Sequence, residues 1–328
     1  MNFFQRPPSG PAPRSVETEA RAGRVCPRDY TYAPSVLARA PDFAAETLYV
    51  IGGLYGNLSA LAAIERLAAA ERTAPAFIFN GDFHWFDAEA DWFAEVERVL
   101  SPHRALRGNV ETEIARSTDV GAGCGCAYPD NVDAGIVDRS NSILRQLRTY
   151  ATPGARTRLG SLPMHVVAQV GTLRIGVVHG DAGALAGWRF SHEALDEPAN
   201  KAWLNDVRAA SQIDVFASTH TCLPALRDFD LPAGRLSVVN NGAAGMPNFA
   251  GTRCGVITRI ATTPSPYATL YGLQRNGVFA DALAVHYEED AFLTRFLARW
   301  PQGSAAYLSY FSRLTEGPDY DLAQARPR

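Results

Sequence analysis

Residues 48–61, LYVIGGLYGNLSAL, contain the pattern that decides the fold. An apolar run ends at Ile51, is interrupted by two glycines, turns at Gly56-Asn57 and continues with apolar residues at helical spacing. This pattern predicts a strand, a loop and a helix, and open α/β folds bind ligands at such loops. The loop GGLYGN nevertheless contains no carboxylate, imidazole or thiol. The chemistry is therefore expected from other loops at the same edge of the sheet.

The first third of the domain repeats this alternation of short apolar runs and helical patterns. Strands are predicted at 47–52, 76–80 and 104–107, and helices at 58–72 and 88–100. Strands that alternate with helices in this way predict a parallel sheet with crossover helices.

The rest of the chain mixes this alternation with antiparallel signals. A loop is predicted at 121–131, and a hairpin that turns at Gly171-Thr172 leads to His179. The other predicted elements are helices at 132–150 and 198–210, strands at 213–220 and 235–247, antiparallel strands at 254–262 and 279–289, and a helical stretch at 291–311 interrupted at Pro301.

Proline usage divides the chain into two parts. Residues 1–45 carry seven prolines and little periodicity, so we expect an irregular arm whose first residues are frayed. Residues 46–328 are predicted to form a single domain that ends in a helical extension.

Composition excludes several function classes. The net charge of −3 gives no nucleic-acid signature, and no apolar run is long enough to span a membrane. Lys201 is the single lysine, so the P-loop motif is excluded. No secretory leader is recognised, and five cysteines are too few for a disulfide scaffold, so we expect a cytoplasmic protein with reduced thiols. The oligomeric state is left open.

Polar residues follow four of the predicted strands. Asp82, Asn109, His179 and His220 each stand at or just beyond a strand end, where distant parts of a chain meet at one edge of a sheet. Each could also be an ordinary cap, turn residue or packed histidine. Together, a carboxylate, an amide oxygen and two imidazoles suit one divalent transition metal such as Mn, Fe, Zn or Ni.

The order of these motifs resembles that of the calcineurin-like metallophosphoesterases, in particular their phosphodiesterase-like branch. The motifs are GD at 81–82, GN at 108–109, HGD at 179–181, THTCLP at 219–224 and NGAAGMP at 241–247. The resemblance covers residues 47–247. It implies a four-layer α/β/β/α sandwich of two mixed sheets flanked by helices, with a two-metal site at the sheet edge.

The resemblance also implies roles for individual residues. The ligands of the second metal fall on Asp82, Asn109, His179 and His220. The ligands expected only at the first metal fall on Gly53, Tyr55 and Cys222, so that site is expected to be lost and one metal ion is expected per chain.

Other residues are candidates for catalysis or additional binding. Val110 stands where many members carry a catalytic histidine, so His84, or the acidic Glu111, could act as general acid or base, although an exposed or capping role is slightly favoured for His84. Cys222 could join Cys124 and Cys126 in a thiolate site for a soft ion, or act as a nucleophile, or merely fill space. The residues expected to shape the pocket are Gly53, Tyr55, Asn57, Asn241 and Gly242.

The sequence therefore favours a metal-dependent phosphoesterase-like hydrolase acting on a small phosphomonoester or phosphodiester with a single metal ion. Two alternatives stay open. The chain could be a catalytically degenerate member that binds a phosphorylated ligand or a protein, or it could carry repurposed metal or thiolate chemistry at Cys222.

Overall fold

The computed structural model describes residues 22–327, so the predicted frayed start at residues 1–21 lies outside the described residues. Its strands are β1 (Phe43–Ala45), β2 (Thr47–Ile51), β3 (Ala76–Asn80), β4 (Arg104–Leu106), β5 (His165–Val170), β6 (Leu173–Val178), β7 (Val215–Ser218), β8 (Pro224–Phe229), β9 (Leu236–Asn241), β10 (Gly255–Ala261), β11 (Tyr271–Arg275) and β12 (Val278–Val285).

The helices lie between and after these strands. They are α1 (Leu58–Ala68), α2 (Ala90–Leu100), α3 (Asn109–Ala115), α4 (Ala134–Arg148), α5 (Pro153–Ser161), α6 (His192–Asp196), α7 (Asn200–Ser211), α8 (Glu289–Arg299), α9 (Ala305–Glu316) and α10 (Leu322–Ala325). Within the described residues, no helix combines the length and apolar character needed to cross a membrane.

The first mixed sheet has six strands in the order β11-β12-β10-β2-β3-β4. β2, β3 and β4 run parallel, with Leu48 opposite Ala76 and Ile78 opposite Arg104, which confirms the prediction for the first third of the domain. β10 and β12 pair antiparallel, also as predicted. The carboxyl ends of β3 and β4 therefore lie at the same edge of the first sheet.

The second mixed sheet also has six strands, in the order β1-β5-β6-β7-β9-β8. β5 and β6 form the predicted hairpin, while β6, β7 and β9 run parallel. Their carboxyl ends lead to His179, His220 and Asn241. This sheet thus delivers a second group of loops to the site.

The two sheets pack face to face and helices cover their outer faces. Leu48 and Val50 pack with Ile175 and Val177 between the sheets, whereas Tyr49 and Ile51, the alternate residues of β2, pack under α1 and α2. Burial of β2 on both faces explains its continuous apolar run. α7 covers the outer face of the second sheet. The predicted four-layer α/β/β/α sandwich is confirmed.

Several short elements differ from the predictions. The Pro-rich segment contributes β1, which pairs with β5, so its last residues belong to the second sheet. Asn109 begins helix α3, although Gly108-Asn109 suggested only a turn. Strands β8 and β11 were not predicted, because their charged residues disguise burial: Arg227, for example, is 2% exposed and bonds to Asp196.

Candidate metal centre

The four predicted metal ligands converge at the carboxyl edge where the two sheets meet. Asp82 follows β3 and Asn109 follows β4 in the first sheet, whereas His179 follows β6 and His220 follows β7 in the second. The Nε2 atom of His179 lies 3.1 Å from Asn109 Oδ1, 3.4 Å from Asp82 Oδ1 and 3.2 Å from His220 Nδ1. We call these four residues the metal half of the site.

Backbone carbonyls fix which ring nitrogens face one another in the metal half. His179 Nδ1 lies 2.8 Å from the Asn80 carbonyl, and His220 Nε2 lies 3.0 Å from the Cys126 carbonyl. A carbonyl only accepts, so these outer nitrogens carry protons, and each inner nitrogen presents a lone pair to the site whenever its ring is neutral. Asn109 is oriented in the same way, because its Nδ2 donates to the Cys124 carbonyl at 2.9 Å.

The result is a cluster of potential metal-ligand atoms that face one another. Asp82, His179 and His220 are all buried, and their ligand atoms lie within 4.8 Å of one another. Among residues 22–327, this is the one group of three or more histidine, cysteine or acidic side chains that could hold a metal ion. Two imidazoles, a carboxylate and an amide oxygen, each braced by its own hydrogen bonds, fit a divalent transition metal.

The electrostatics of the metal half agree with this fit. Burial opposes the charge of Asp82, yet the charge and hydrogen bond of His179 lower its pKa below the usual value. Burial, together with the charge of His179, lowers the pKa of His220 to about 3, so its ring is neutral. Metal binding requires ionised carboxylate and neutral imidazole; Asp82 and His220 already hold those states, whereas His179, whose pKa is raised by Asp82 against the effect of burial, would release a proton when the ion binds.

The opposite side of the site contains the three residues that stand where the first metal's ligands were expected. Tyr55 Oη lies 3.0 Å from Cys222 Sγ, and a Cβ atom on Gly53 would lie 2.8 Å from the Tyr55 ring. The Tyr55 ring therefore fills the space toward which a side chain at position 53 would project. We call Gly53, Tyr55 and Cys222 the tyrosine half.

The tyrosine half holds neutral groups. Burial raises the pKa of the Tyr55 phenol well above its usual value and also raises the pKa of the Cys222 thiol. A thiol with a raised pKa is a poor nucleophile, which opposes the alternative of nucleophilic chemistry at Cys222. Gly53, Tyr55 and Cys222 have φ angles of 65°, 55° and 60°. Left-handed backbone is unusual for the latter two residues and is concentrated at functional sites.

Both halves open into one cavity of about 370 Å³, a size typical of small-ligand sites. Its floor includes Asp82, Asn109, His220, Tyr55 and Cys222. Much of the remaining lining comes from aromatic side chains and from helix α9: Trp85, Tyr128, Trp188, Ser309, Tyr310 and Arg313. No sequence pattern identifies these residues, because none of them stands at the end of a strand.

Comparisons with solved structures agree with this architecture. The crystal structure of hypothetical protein PH1004 from Pyrococcus horikoshii OT3 is 18% identical, with 84% of this chain and 99% of that chain covered and a TM-score of 0.56. The metallophosphoesterase from Sphaerobacter thermophilus is 16% identical, with 83% and 100% covered and a TM-score of 0.50. The chain has the metallophosphoesterase fold. No protein-family model and no curated protein matches the sequence.

On this metallophosphoesterase fold, Glu111 has a structural role instead of the predicted catalytic one. Its carboxylate is fully buried and accepts hydrogen bonds from the backbone N–H groups of Asp82, Phe83, His84 and Gly108, at 2.8 to 3.3 Å. Glu111 is not among the residues that line the cavity. It braces the loop that presents Asp82.

His84 also differs from its prediction as a general acid or base. Its ring is fully buried, stacks on Phe93 and bonds to Asp87 at 2.5 Å and to Glu97 at 2.9 Å. The cavity lining does not include it. His84 is therefore a buried residue of the loop that pairs with two carboxylates, which matches neither the catalytic prediction nor the alternative of an exposed or capping residue.

The predicted cysteine cluster does not assemble. Cys124 and Cys126 form a disulfide with each other, which corrects the expectation of reduced thiols for this pair, and Cys222 instead contacts Tyr55. The contribution of the Cys124–Cys126 turn is its backbone, because the two carbonyls orient Asn109 and His220.

The remaining predicted pocket residues act through the backbone. Asn57 caps α1 by accepting from Ala60 N–H, and its Nδ2 donates to the Gly245 carbonyl. Asn241 donates to the carbonyls of Gly52 and Val256, and a side chain at Gly242 would collide with Asn248. These contacts hold the loops in place behind the cavity, whereas Tyr55 lines it directly.

Proposed function

We propose that the chain is a metal-dependent phosphoesterase-type hydrolase with one metal ion held by Asp82, Asn109, His179 and His220. The observation that carries the proposal is the cluster of inward-facing acceptor atoms, whose outer atoms are fixed by the carbonyls of Asn80, Cys124 and Cys126. Such outer contacts are the usual support of metal-ligating side chains.

The ion, when bound, would polarise a phosphoryl oxygen and lower the pKa of a coordinated water. Hydrolysis joins the water oxygen to phosphorus and breaks the bond from phosphorus to the ester oxygen, which gains a proton. The chain's own contribution is to keep the ligands oriented and to exclude bulk water: Asp82 is 6% exposed and His220 is 5% exposed. Glu111 keeps the Asp82 loop in position.

A second candidate is a protein that binds a phosphorylated ligand without hydrolysing it. The observation that favours it is the Tyr55 ring, which fills the space beside Gly53 and contacts Cys222. A site without a second ion lacks half of the clamp that two-metal hydrolases place on the attacking and leaving oxygens. Binding of a phosphate ester without its hydrolysis would favour this candidate over the hydrolase.

The test counts metal and measures turnover in the same preparation. Protein is loaded with Mn, Fe, Zn or Ni, its metal content is measured by inductively coupled plasma mass spectrometry, and phosphomonoesters and phosphodiesters are screened. We expect about one ion per chain, as for a single ligand cluster. His179→Ala is expected to lose both the ion and the activity.

His286→Ala serves as the matched control, because His286 is exposed and stands just beyond β12, outside the ligand cluster. It should keep the metal and the activity of the wild-type protein. Two tightly held ions per chain would contradict the single-metal proposal, and retention of the ion by His179→Ala would contradict the ligand assignment.

A further inference from the structure

Arg313 brings a positive charge to the cavity from helix α9. Its Nη2 donates to the Cys222 carbonyl at 2.6 Å and its Nε to the Pro247 carbonyl at 3.1 Å. Within the described residues, the side-chain hydrogen bonds of Arg313 are these two, and its guanidinium forms no ion pair, although the carboxylates of Asp82 and Asp319 line the same cavity. The structure thus holds a guanidinium beside the tyrosine half with Nη1 free to bind an anion.

A guanidinium held in this way is suited to a phosphoryl group. Arginine binds phosphate oxygens through charge-assisted hydrogen bonds, and its planar group loses little freedom when two of its nitrogens are already fixed. Arg313 lines the same cavity as Asp82, Asn109 and His220. It supplies positive charge on the side of the cavity where the resemblance predicted the first metal.

The rest of the lining favours a flat apolar group. Trp85 contacts Tyr310, and Tyr128 contacts Trp188, with ring centroids 6.5 and 5.9 Å apart. All four line the cavity together with Val110, Ile136 and Leu223. Aromatic walls bind planar rings through stacked and edge contacts.

The placement of the predicted proton donors points in the same direction. His84 and Glu111 lie outside the cavity lining, and position 110 is valine. A phosphate ester of an alkyl alcohol needs a proton donor for its departing oxygen. A phenol has a pKa of about 10, so an aryl ester can release its oxygen as phenolate, which then takes a proton from water.

We propose that Arg313 binds the phosphoryl group next to the metal half and that the substrate is a phosphate ester of an aryl alcohol. This inference rests on the proposed function for the reaction. The binding of the anion and of the ring can be tested without turnover.

The experiment uses phenylphosphonate and methylphosphonate, which share a head group, differ in the ring and have no ester bond to hydrolyse. Binding to the metal-loaded full chain is measured by calorimetry, and the metal content is measured in parallel. We expect phenylphosphonate to bind about tenfold more tightly than methylphosphonate, because only the former stacks on the walls. Tyr310→Leu should reduce this ratio and leave the binding of methylphosphonate unchanged.

Arg313→Gln should weaken the binding of both phosphonates by about 10- to 100-fold and keep one metal ion per chain, since Arg313 contacts none of the four ligands. Arg313→Lys keeps the charge without the planar fork and should be intermediate; it carries the test if Arg313→Gln fails to fold. Arg299→Gln is the matched control, because Arg299 bonds to Ala88 and Gln146 and lies outside the cavity lining.

Two results would overturn the inference. Unchanged phosphonate binding in Arg313→Gln, with its metal present, would show that Arg313 does not bind the phosphoryl group. Equal affinity for the two phosphonates would show that the site does not prefer an aryl group. Both results leave the proposed metal-dependent hydrolysis standing. Conversely, phosphonate binding that depends on Arg313 in a protein without turnover would support the binding role of Arg313 and would contradict both the proposed hydrolysis and the aryl ester as its substrate.

Discussion

The metal half and the tyrosine half share an unusual backbone but differ in chemistry. Asp82 has a φ of 51°, close to the values of Tyr55 and Cys222, so left-handed residues occur on both sides of the cavity. Each such non-glycine residue costs about 1–2 kcal/mol. In the metal half, the left-handed backbone brings the carboxylate of Asp82 to the other candidate ligands. In the tyrosine half, it brings a neutral phenol against a neutral thiol. Loop geometry and ligand chemistry are therefore separable in this fold.

The difference extends to the way each half is supported. Every ligand of the metal half except Asp82 donates to a backbone carbonyl through its outer atom, and Asp82 is held by the loop that Glu111 braces. In the tyrosine half, the hydroxyl of Tyr55 forms a hydrogen bond only with Cys222 among the described residues. Perturbing the supports should consequently affect the metal half far more than the tyrosine half.

Glu111→Ala is expected to have the largest effect. The substitution leaves four buried backbone N–H groups without their acceptor, and because one unpaired buried donor costs about 1–3 kcal/mol, the four together are expected to cost roughly 4 kcal/mol or more. The free energy of unfolding measured in urea should fall by this amount, and the affinity for metal should fall as the Asp82 loop loses its brace.

Glu111→Gln is the matched variant, because it keeps the shape and one carbonyl oxygen as acceptor. It should cost less than Glu111→Ala. If Glu111→Ala changes the free energy of unfolding by less than about 1 kcal/mol, the bracing role assigned to the carboxylate is wrong.

His84→Gln should have a smaller effect that depends on pH. Burial alone would lower the pKa of His84, but the carboxylates of Asp87 and Glu97 outweigh burial and raise the pKa from 6.5 to about 9. A folded-state pKa above the unfolded one stabilises the fold fully below pH 6.5, and this stabilisation is lost as the pH rises through 9. At pH 6, the free energy of unfolding of the wild type should exceed that of His84→Gln by about 1–3 kcal/mol.

The measurement is a series of urea unfolding curves from pH 6 to pH 10 for both proteins. Their difference in free energy of unfolding should shrink steadily above pH 6.5. His103→Gln is the control, because His103 stacks on Phe77 and makes an edge contact with Phe79, away from this loop. A difference that grows with pH would contradict a charged His84.

The sequence was sufficient for the part of the site that depends on strand ends. Asp82, Asn109, His179 and His220 stand where parallel strands terminate, and topology alone brings such positions together. The same logic misplaced Glu111 and His84, because sequence proximity to Asp82 does not show whether a side chain turns to the cavity or to the loop behind it. Glu111 turns to the backbone, and His84 turns to Asp87 and Glu97.

The cavity walls could not be predicted, because they come from regions distant in sequence. Arg313 and Tyr310 lie on α9, and Trp188 lies in the loop after β6. Helix α9 follows a hydrophobic pattern that predicts a packed helix and does not indicate which polar residue faces a cavity. The placement of Arg313 and Tyr310 depends on the packing of α9 against α4, which no local pattern predicts.

Tyr55→Phe is expected to have the smallest effect and tests the tyrosine half alone. Removing the hydroxyl loses the hydrogen bond to Cys222 Sγ, worth about 0.5–1.5 kcal/mol, and leaves the ring in its space beside Gly53.

Because this hydrogen bond lowers the pKa of the Cys222 thiol against the effect of burial, its loss should raise that pKa further. The alkylation of Cys222 by iodoacetamide should therefore become slower, measured in a Cys26→Ser background because Cys26 is exposed. Metal content should stay the same, because the Tyr55 hydroxyl bonds to none of the four ligands and the substitution keeps the backbone hydrogen bond from Tyr55 N–H to the Asp82 carbonyl. A loss of metal in Tyr55→Phe would show that the two halves are coupled, and faster alkylation would show that the hydroxyl had shielded the thiol and had not stabilised its thiolate.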